Sequence, residues 1–187
     1  MRPSPLVLWL EILMIRVCFV CLGNICRSPT ADGIMRHLVA QAGLARAIEV
    51  DSAGTGGWHE GEAADSRAQA VARERGYELT SRARKFTSAD FARFDFILAM
   101  DGNNVRDLLA LAPSDVDALK INLFRAYDPE GVGPDGPADV PDPYYGGPRG
   151  FDEVFDICER TCATLLEHIR RYHSSALMSA TKAAREQ

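Results

Sequence analysis

The sequence predicts an α/β fold, a four-stranded parallel sheet assembled from strand-helix units, and three observations carry that expectation. Apolar runs rich in branched residues alternate along the chain with segments of helical period. The first such run passes through a glycine-containing turn straight into a helical stretch, the succession that a parallel sheet requires. The 187 residues are 47% hydrophobic, 25% charged and 8% aromatic, the composition of one good-sized globular domain. Disordered and fibrous classes are excluded by it.

The elements follow in order. The first strand is predicted at residues 15–20, where the run Ile15-Arg16-Val17-Cys18-Phe19-Val20 is apolar but for one arginine. Ser28 then offers an N-cap with Pro29 at the first helical position, and Ala31, Ile34, Met35, Leu38 and Ala42 mark one helical face that stops at Gly43. A second strand is predicted at 48–53, a helix capped by Asp65 and ending near Gly76, and a third strand at 94–100. Asp101, to which a structural role is given, can cap the next helix, and a fourth strand follows at 119–124.

Residues 125–150 hold six Gly and six Pro, so a long loop without regular structure is expected. Gly131, Gly133 and Gly136 formally match a dinucleotide fingerprint there, but no helix opens after them and the match is read as chance. The last helix is the clearest element: Phe151, Val154, Phe155, Cys158, Cys162, Leu165, Leu166 and Ile169 fall on one stripe. One domain over residues 14–173 is expected, with a flexible tail at 174–187 and an extension at 1–13 that is an added strand, a disordered arm or a mis-assigned start before Met14.

The apolar stretch from Leu6 to Leu13 is broken by Glu11 and is too short to span a membrane, and it lacks the flanks of a secretory signal. Five cysteines are an odd number, clustered at Cys18, Cys21 and Cys26 and at Cys158 and Cys162, which argues for reduced thiols and a cytoplasmic protein. Lys and Arg number 21 against 26 Asp and Glu, a formal charge of -5, so neither nucleic acid nor an anionic membrane is an expected partner. Any anion must be held locally.

Such a place exists between the first strand and the first helix, at Cys21-Leu22-Gly23-Asn24-Ile25-Cys26-Arg27-Ser28-Pro29. There a parallel sheet presents backbone N–H groups to an anion. Gly23 permits positive φ and Asn24 tolerates the left-handed region, so the loop can curl with its amides inward, and Arg27 can close the ring with a planar fork suited to phosphate. Cys21 at the mouth feels the helix N-terminus, the amides and Arg27, all of which favour a nucleophilic thiolate. A leaving oxygen needs a proton from the opposite side, hence from another loop. Asp142 in Val140-Pro141-Asp142-Pro143-Tyr144-Tyr145 is the strongest candidate, with five acids and no base from Asp128 to Asp142 to favour its protonated form by repulsion.

Cys-x5-Arg-Ser-Pro near the N-terminus with a late Asp-Pro-Tyr-Tyr resembles the low-molecular-weight protein tyrosine phosphatases, over about Met14 to Tyr172. The resemblance implies a three-layer α/β fold, a central four-stranded parallel sheet flanked by helices with the phosphate-binding loop after the first strand. It implies hydrolysis of phosphotyrosine through a phosphocysteine on Cys21, with Arg27 and the loop amides holding phosphate and Asp142 acting first as acid and then as base. Asn24, Ser28 and Ser52 resemble the polar residues that support the loop, Ser28 also donating to the departing thiolate. Leu22, Ile25, Trp58, Tyr144 and Tyr145 would form an aromatic rim deep enough that phosphotyrosine reaches Cys21 while phosphoserine falls short. The implied substrate is a phosphotyrosyl protein or a small aryl phosphate and the product is inorganic phosphate; no metal or cofactor is expected.

Three other readings compete on the residues. An arsenate reductase of this fold needs extra redox cysteines able to meet the nucleophile, whereas Cys158 and Cys162 lie on the apolar stripe of a helix and, lacking a second pair, fit core packing better than a metal site. Family members that are protein-arginine phosphatases carry threonine at the position of Ile25, so Ile25 with Tyr144 and Tyr145 favours phosphotyrosine. A phosphate-binding module without catalysis is disfavoured by Cys21, Arg27 and Asp142 occurring together. Cys26 either packs under the loop or forms a reversible disulfide with Cys21 under oxidants.

Overall fold

The computed structural model describes residues 14–147, 149–174, 176 and 177, so the expectations for residues 1–13 and for most of the 174–187 tail lie outside the described residues. The strands are β1 (Ile15–Cys21), β2 (Ile48–Gly54), β3 (Phe96–Ala99), β4 (Ile121–Leu123), β5 (Val132–Gly133) and β6 (Gly136–Pro137). The helices are α1 (Arg27–Gln41), α2 (Ser66–Glu74), α3 (Gly102–Leu111), α4 (Asp115–Ala118) and α5 (Gly150–Tyr172), with short 3-10 turns at Ser88–Ala92 and Phe124–Tyr127. The first four strands form one parallel sheet in the order β2-β1-β3-β4.

β1 is central, which explains why its sequence is apolar almost without alternation: both of its faces are covered. Val17, Phe19 and Cys21 enter one core with Ile34, Met35 and Val39 of α1 and Phe155, Cys158, Cys162 and Leu165 of α5. Cys18 and Val20 enter the other with Phe86, Phe91, Phe94 and Leu108. These are the three layers expected. The chain leaves β1 towards α1 on one face and leaves β3 towards α3 on the other, so the two connections diverge at the carboxyl ends of neighbouring strands. A crevice opens at that switch point.

The boundaries differ from the sequence expectation in ways that matter for the crevice. β1 runs one residue further, placing Cys21 at its last position opposite Gly54. α1 begins at Arg27 with Cys26, not Ser28, at the N-cap, and no side chain caps it; the Ser28 hydroxyl lies instead 3.0 Å from the Cys21 sulfur. β3 is shorter than predicted because Phe94 turns into the second core before the strand starts. β4 covers only three residues, and Leu119, assigned to it from sequence, is exposed after α4, a single turn capped by Ser114.

The Gly- and Pro-rich segment is not structureless, in contrast to the expectation. It holds a 3-10 turn and the small antiparallel pair β5-β6, in which Gly133 and Gly136 are paired across the ladder and Gly131 stands just before β5. Asp128, fully buried, accepts from Arg125 Nε at 2.9 Å and from Arg160 Nε at 2.8 Å, which fastens the segment to α5. Burial opposes its charge, but these hydrogen bonds outweigh it and hold the carboxyl below the ordinary range. The stripe of α5 is buried throughout as predicted. Cys162 donates to Ala31 O of α1 at 3.6 Å, and burial pushes both the Cys158 and the Cys162 thiols up. Among the described residues no helix is long and apolar enough to cross a membrane.

Candidate active site

The loop from Leu22 to Cys26 turns back on itself because Asn24 sits at φ 55, the only positive φ at a non-glycine position among the described residues. Gly23, expected to supply that conformation, does not. Its hydrogen matters for space: a Cβ there would lie 3.2 Å from His59 Cδ2. The Asn24 side chain is buried and fully engaged, donating to Ser28 Oγ at 2.9 Å and Ser52 Oγ at 3.0 Å and accepting from Arg84 N at 3.0 Å. One amide thus ties together the loop, α1, β2 and the segment after α2.

Cys21 is 3% exposed, and its sulfur lies 3.2 Å from Asn24 N, which donates to it, and 3.0 Å from Ser28 Oγ. Since Ser28 Oγ accepts from Asn24 Nδ2, its single proton is free for the sulfur or for Ala53 O at 3.3 Å. The Asn24 N–H, and the Ser28 hydroxyl when its proton turns to the sulfur, are donors aimed at Cys21 Sγ. Cys26 packs with Ala68 and Phe151, and burial chiefly, with Asp65 and Cys21 nearby, pushes its thiol up to about 12. All five cysteines are free thiols.

Arg27 is 4% exposed and its fork is held from two distant segments. Nη1 donates to Asp101 Oδ2 at 2.6 Å and to Val140 O at 3.1 Å, and Nη2 donates to Asp142 Oδ2 at 3.2 Å. Burial opposes the charge, yet Cys21, the Asp101 hydrogen bond and Asp142 outweigh it and hold the guanidinium above its ordinary range. Asp142 is placed by Val140, whose buried N–H donates to Met100 O at 2.7 Å, and by its own Oδ1, which accepts from Tyr144 N at 3.1 Å. Two of the acids expected to repel it are engaged elsewhere: Asp128 pairs with arginines and Asp139 accepts from Gly102 N. The charge in contact with Asp142 is the Arg27 cation, at 3.2 Å.

A cleft of ≈ 190 Å³ opens over the loop, lined by Cys21, Leu22, Gly23, Ile25, Cys26, Arg27, Trp58, His59, Asp142, Tyr144 and Tyr145. Every residue assigned to rim or floor from sequence is there, while Asn24, Ser28 and Ser52 lie beneath as supports. Trp58 and Tyr145 are 72% and 92% exposed, and Tyr145 meets Tyr144 edge to face at 4.9 Å. Large exposed rings around a small polar floor favour a planar aromatic group carrying an anion. Tyr144 is seated by Arg67, whose Nη1 donates to Tyr144 O at 3.2 Å.

Four contributors escape the sequence reading. Asp101, expected only to cap a helix, does so through Oδ1 and Asn104 N at 2.8 Å, while Oδ2 grips Arg27. His59 lines the cleft, and the Arg84 backbone N–H completes the Asn24 network. Gly54 is the fourth: a Cβ there would stand 2.7 Å from Leu22 O and 2.9 Å from Gly56 O, both backbone atoms that cannot swing aside. Gly54→Ala is therefore expected to displace the loop and lower kcat/KM by about 10²-fold, the order of cost of a 1 Å misplacement; a variant with unchanged kinetics would show the contact to be slack. Only the glycine-rich run Gly54-Thr55-Gly56-Gly57 hints at this close approach in the sequence.

Comparison with known proteins agrees with this architecture. The family model described as "Low molecular weight phosphotyrosine protein phosphatase" matches residues 16–175. A "Low molecular weight protein-tyrosine-phosphatase" of Streptomyces coelicolor is 51% identical over 155 residues, 83% of this chain and 93% of that protein. A protein tyrosine phosphatase from Entamoeba histolytica, crystallised with Hepes in its active site, superposes with a TM-score of 0.77 at 40% identity, covering 84% of this chain and 97% of that one. A Drosophila arginine phosphatase superposes with a TM-score of 0.75 at 32% identity, covering 83% of this chain and 98% of that one.

Proposed function

The chain belongs to the low molecular weight phosphotyrosine protein phosphatase family, and on that premise we propose that it hydrolyses phosphotyrosine monoesters through a phosphocysteine on Cys21. The observation that carries this reading is that Asp142, remote in sequence from Cys21 and Arg27, lines one small aromatic-rimmed cleft with them. In the first step the Cys21 thiolate forms the S–P bond, the P–O bond to the phenol breaks, and Asp142 gives its proton to the leaving oxygen. In the second step water attacks phosphorus, Asp142 accepts its proton, and the S–P bond breaks to release phosphate and restore the thiolate.

Arg27 serves as the phosphate clamp, joined by the amides of residues 22–27 and the start of α1. Phosphate oxygens that take over Nη2 free the Asp142 carboxylate, 3.2 Å away, to turn towards the leaving group. Ser28 is the donor that eases departure of the thiolate from phosphorus, and Asn24 and Ser52 keep Ser28 in place. Leu22, Ile25, Trp58, Tyr144 and Tyr145 hold the phenol ring, and the substrate is a phosphotyrosyl protein or a small aryl phosphate. Cytoplasmic residence fits five free thiols, one of them a nucleophile that oxidation would silence.

The rival substrate is phosphoarginine, named for the Drosophila neighbour. Ile25, half-buried on the cleft wall, offers no hydroxyl to a guanidinium, which is why phosphotyrosine is preferred here. The test is hydrolysis of matched phosphotyrosyl, phosphoseryl and phosphoarginyl peptides under reducing conditions. Turnover of the first alone is expected, slowed about 10²-fold by Asp142→Ala, as for loss of a general acid. Preferred hydrolysis of the arginyl peptide would overturn the substrate, and tight phosphopeptide binding without turnover would overturn the enzyme.

A further inference from the structure

Arg67 is absent from the chemistry above, yet it makes more contacts with the rim than a surface side chain needs. Its guanidinium forks onto the Asp65 carboxylate, Nε to Oδ1 at 3.0 Å and Nη2 to Oδ2 at 2.9 Å. It lies 5.2 Å from the Tyr144 ring centroid and 4.7 Å from that of Phe151, between two aromatic partners. The remaining nitrogen donates to Tyr144 O at 3.2 Å. All three attractions of an arginine, bidentate, stacking and single hydrogen bond, are thus directed at the acid-bearing loop and its support.

Both ends of this arrangement reach the reacting groups. Asp65 N donates to Ile25 O of the phosphate-binding loop at 2.8 Å, and Asp65 also caps α2 through Arg67 N. At the other end Tyr144 N donates to Asp142 Oδ1. The path Ile25–Asp65–Arg67–Tyr144–Asp142 therefore spans the two loops by hydrogen bonds on one side of the cleft. On the other side they meet through Arg27, whose Nη2 is the group that phosphate claims.

We propose that Arg67 is a positioning residue for Asp142, a strut that keeps the acid at its working distance from the phosphate-binding loop once substrate has taken the Arg27 fork. The inference rests on the function proposed above. Its physical content is that the Arg27–Asp142 contact cannot hold the acid during the reaction, because the same nitrogen is then bonded to phosphate. Arg67 is half exposed and touches neither nucleophile nor cleft floor, so its influence passes through Tyr144.

The test compares kcat/KM for a phosphotyrosyl peptide, whose phenol needs a proton to leave, with that for p-nitrophenyl phosphate, whose leaving group needs it much less. Arg67→Ala is expected to lower the first about tenfold and the second about twofold, the signature of a misplaced acid. Arg67→Lys, which keeps the charge but neither fork nor stack, should fall between. In an Asp142→Asn background the Arg67→Ala effect should vanish, since there is no acid left to position. Equal losses on both substrates, or the same Arg67→Ala effect with and without Asp142, would reduce Arg67 to a rim or folding residue and overturn the inference. Wild type inactive on both substrates would overturn the function reading and this inference together.

Discussion

Cys21→Ser is expected to abolish turnover, by at least about 10⁴-fold in kcat, roughly 5 kcal/mol of barrier. A serine hydroxyl does not ionise near neutral pH, and the groups around the Cys21 sulfur, Asn24 N and Ser28 Oγ, are donors or shared donors that cannot deprotonate it. The site is built to stabilise an anion already formed, not to create one. Binding should survive, because Arg27 and the backbone of the loop remain, so the variant should still take up a phosphotyrosyl peptide by calorimetry. Residual activity above about 1% of wild type would mean that another group attacks phosphorus, and the mechanism would be wrong.

Arg27→Lys carries the second large effect, an expected fall in kcat/KM of about 10² to 10³. An ammonium keeps the charge but cannot hold Asp101 Oδ2, Val140 O and Asp142 Oδ2 from one plane, nor present two parallel donors to phosphate. Asp101, 16% exposed, would lose its planar partner while still capping α3. The substitution therefore damages the clamp and the seating of the acid loop together. Steady-state kinetics with the phosphotyrosyl peptide decide: an Arg27→Lys enzyme within tenfold of wild type would show that charge alone suffices. Asp101→Asn, which keeps one acceptor for Arg27, should be milder than Arg27→Lys if geometry is what matters.

How far the sequence carries this site can be judged residue by residue. Cys21, Arg27 and Ser28 are legible because strand, loop and helix N-terminus follow one another within a few residues, and local backbone chemistry dictates what such a loop can bind. Asp142 is legible as an acid stiffened between prolines, but its partner is not: the sequence offered other acids, and the structure offers Arg27. Ser28 read as a helix cap is the instructive error. A serine before proline is a good N-cap in isolation, and the family resemblance, not the local pattern, pointed its hydroxyl at the thiolate, where the structure places it within 3.0 Å of the sulfur.

By itself the sequence determined what periodicity and local conformation control: the parallel α/β class, the buried first strand, the stripe of α5, and an anion loop with a cysteine at its mouth. Tertiary structure alone decided the long-range pairings, Asp101 and Val140 on Arg27, Arg84 on Asn24, Gly54 beneath Leu22, and Arg67 against Tyr144. The physical reason is range. A helix or strand period repeats over a few residues and marks the chain where it acts, whereas a hydrogen bond across 74 or 115 positions leaves no local trace in either partner's neighbourhood.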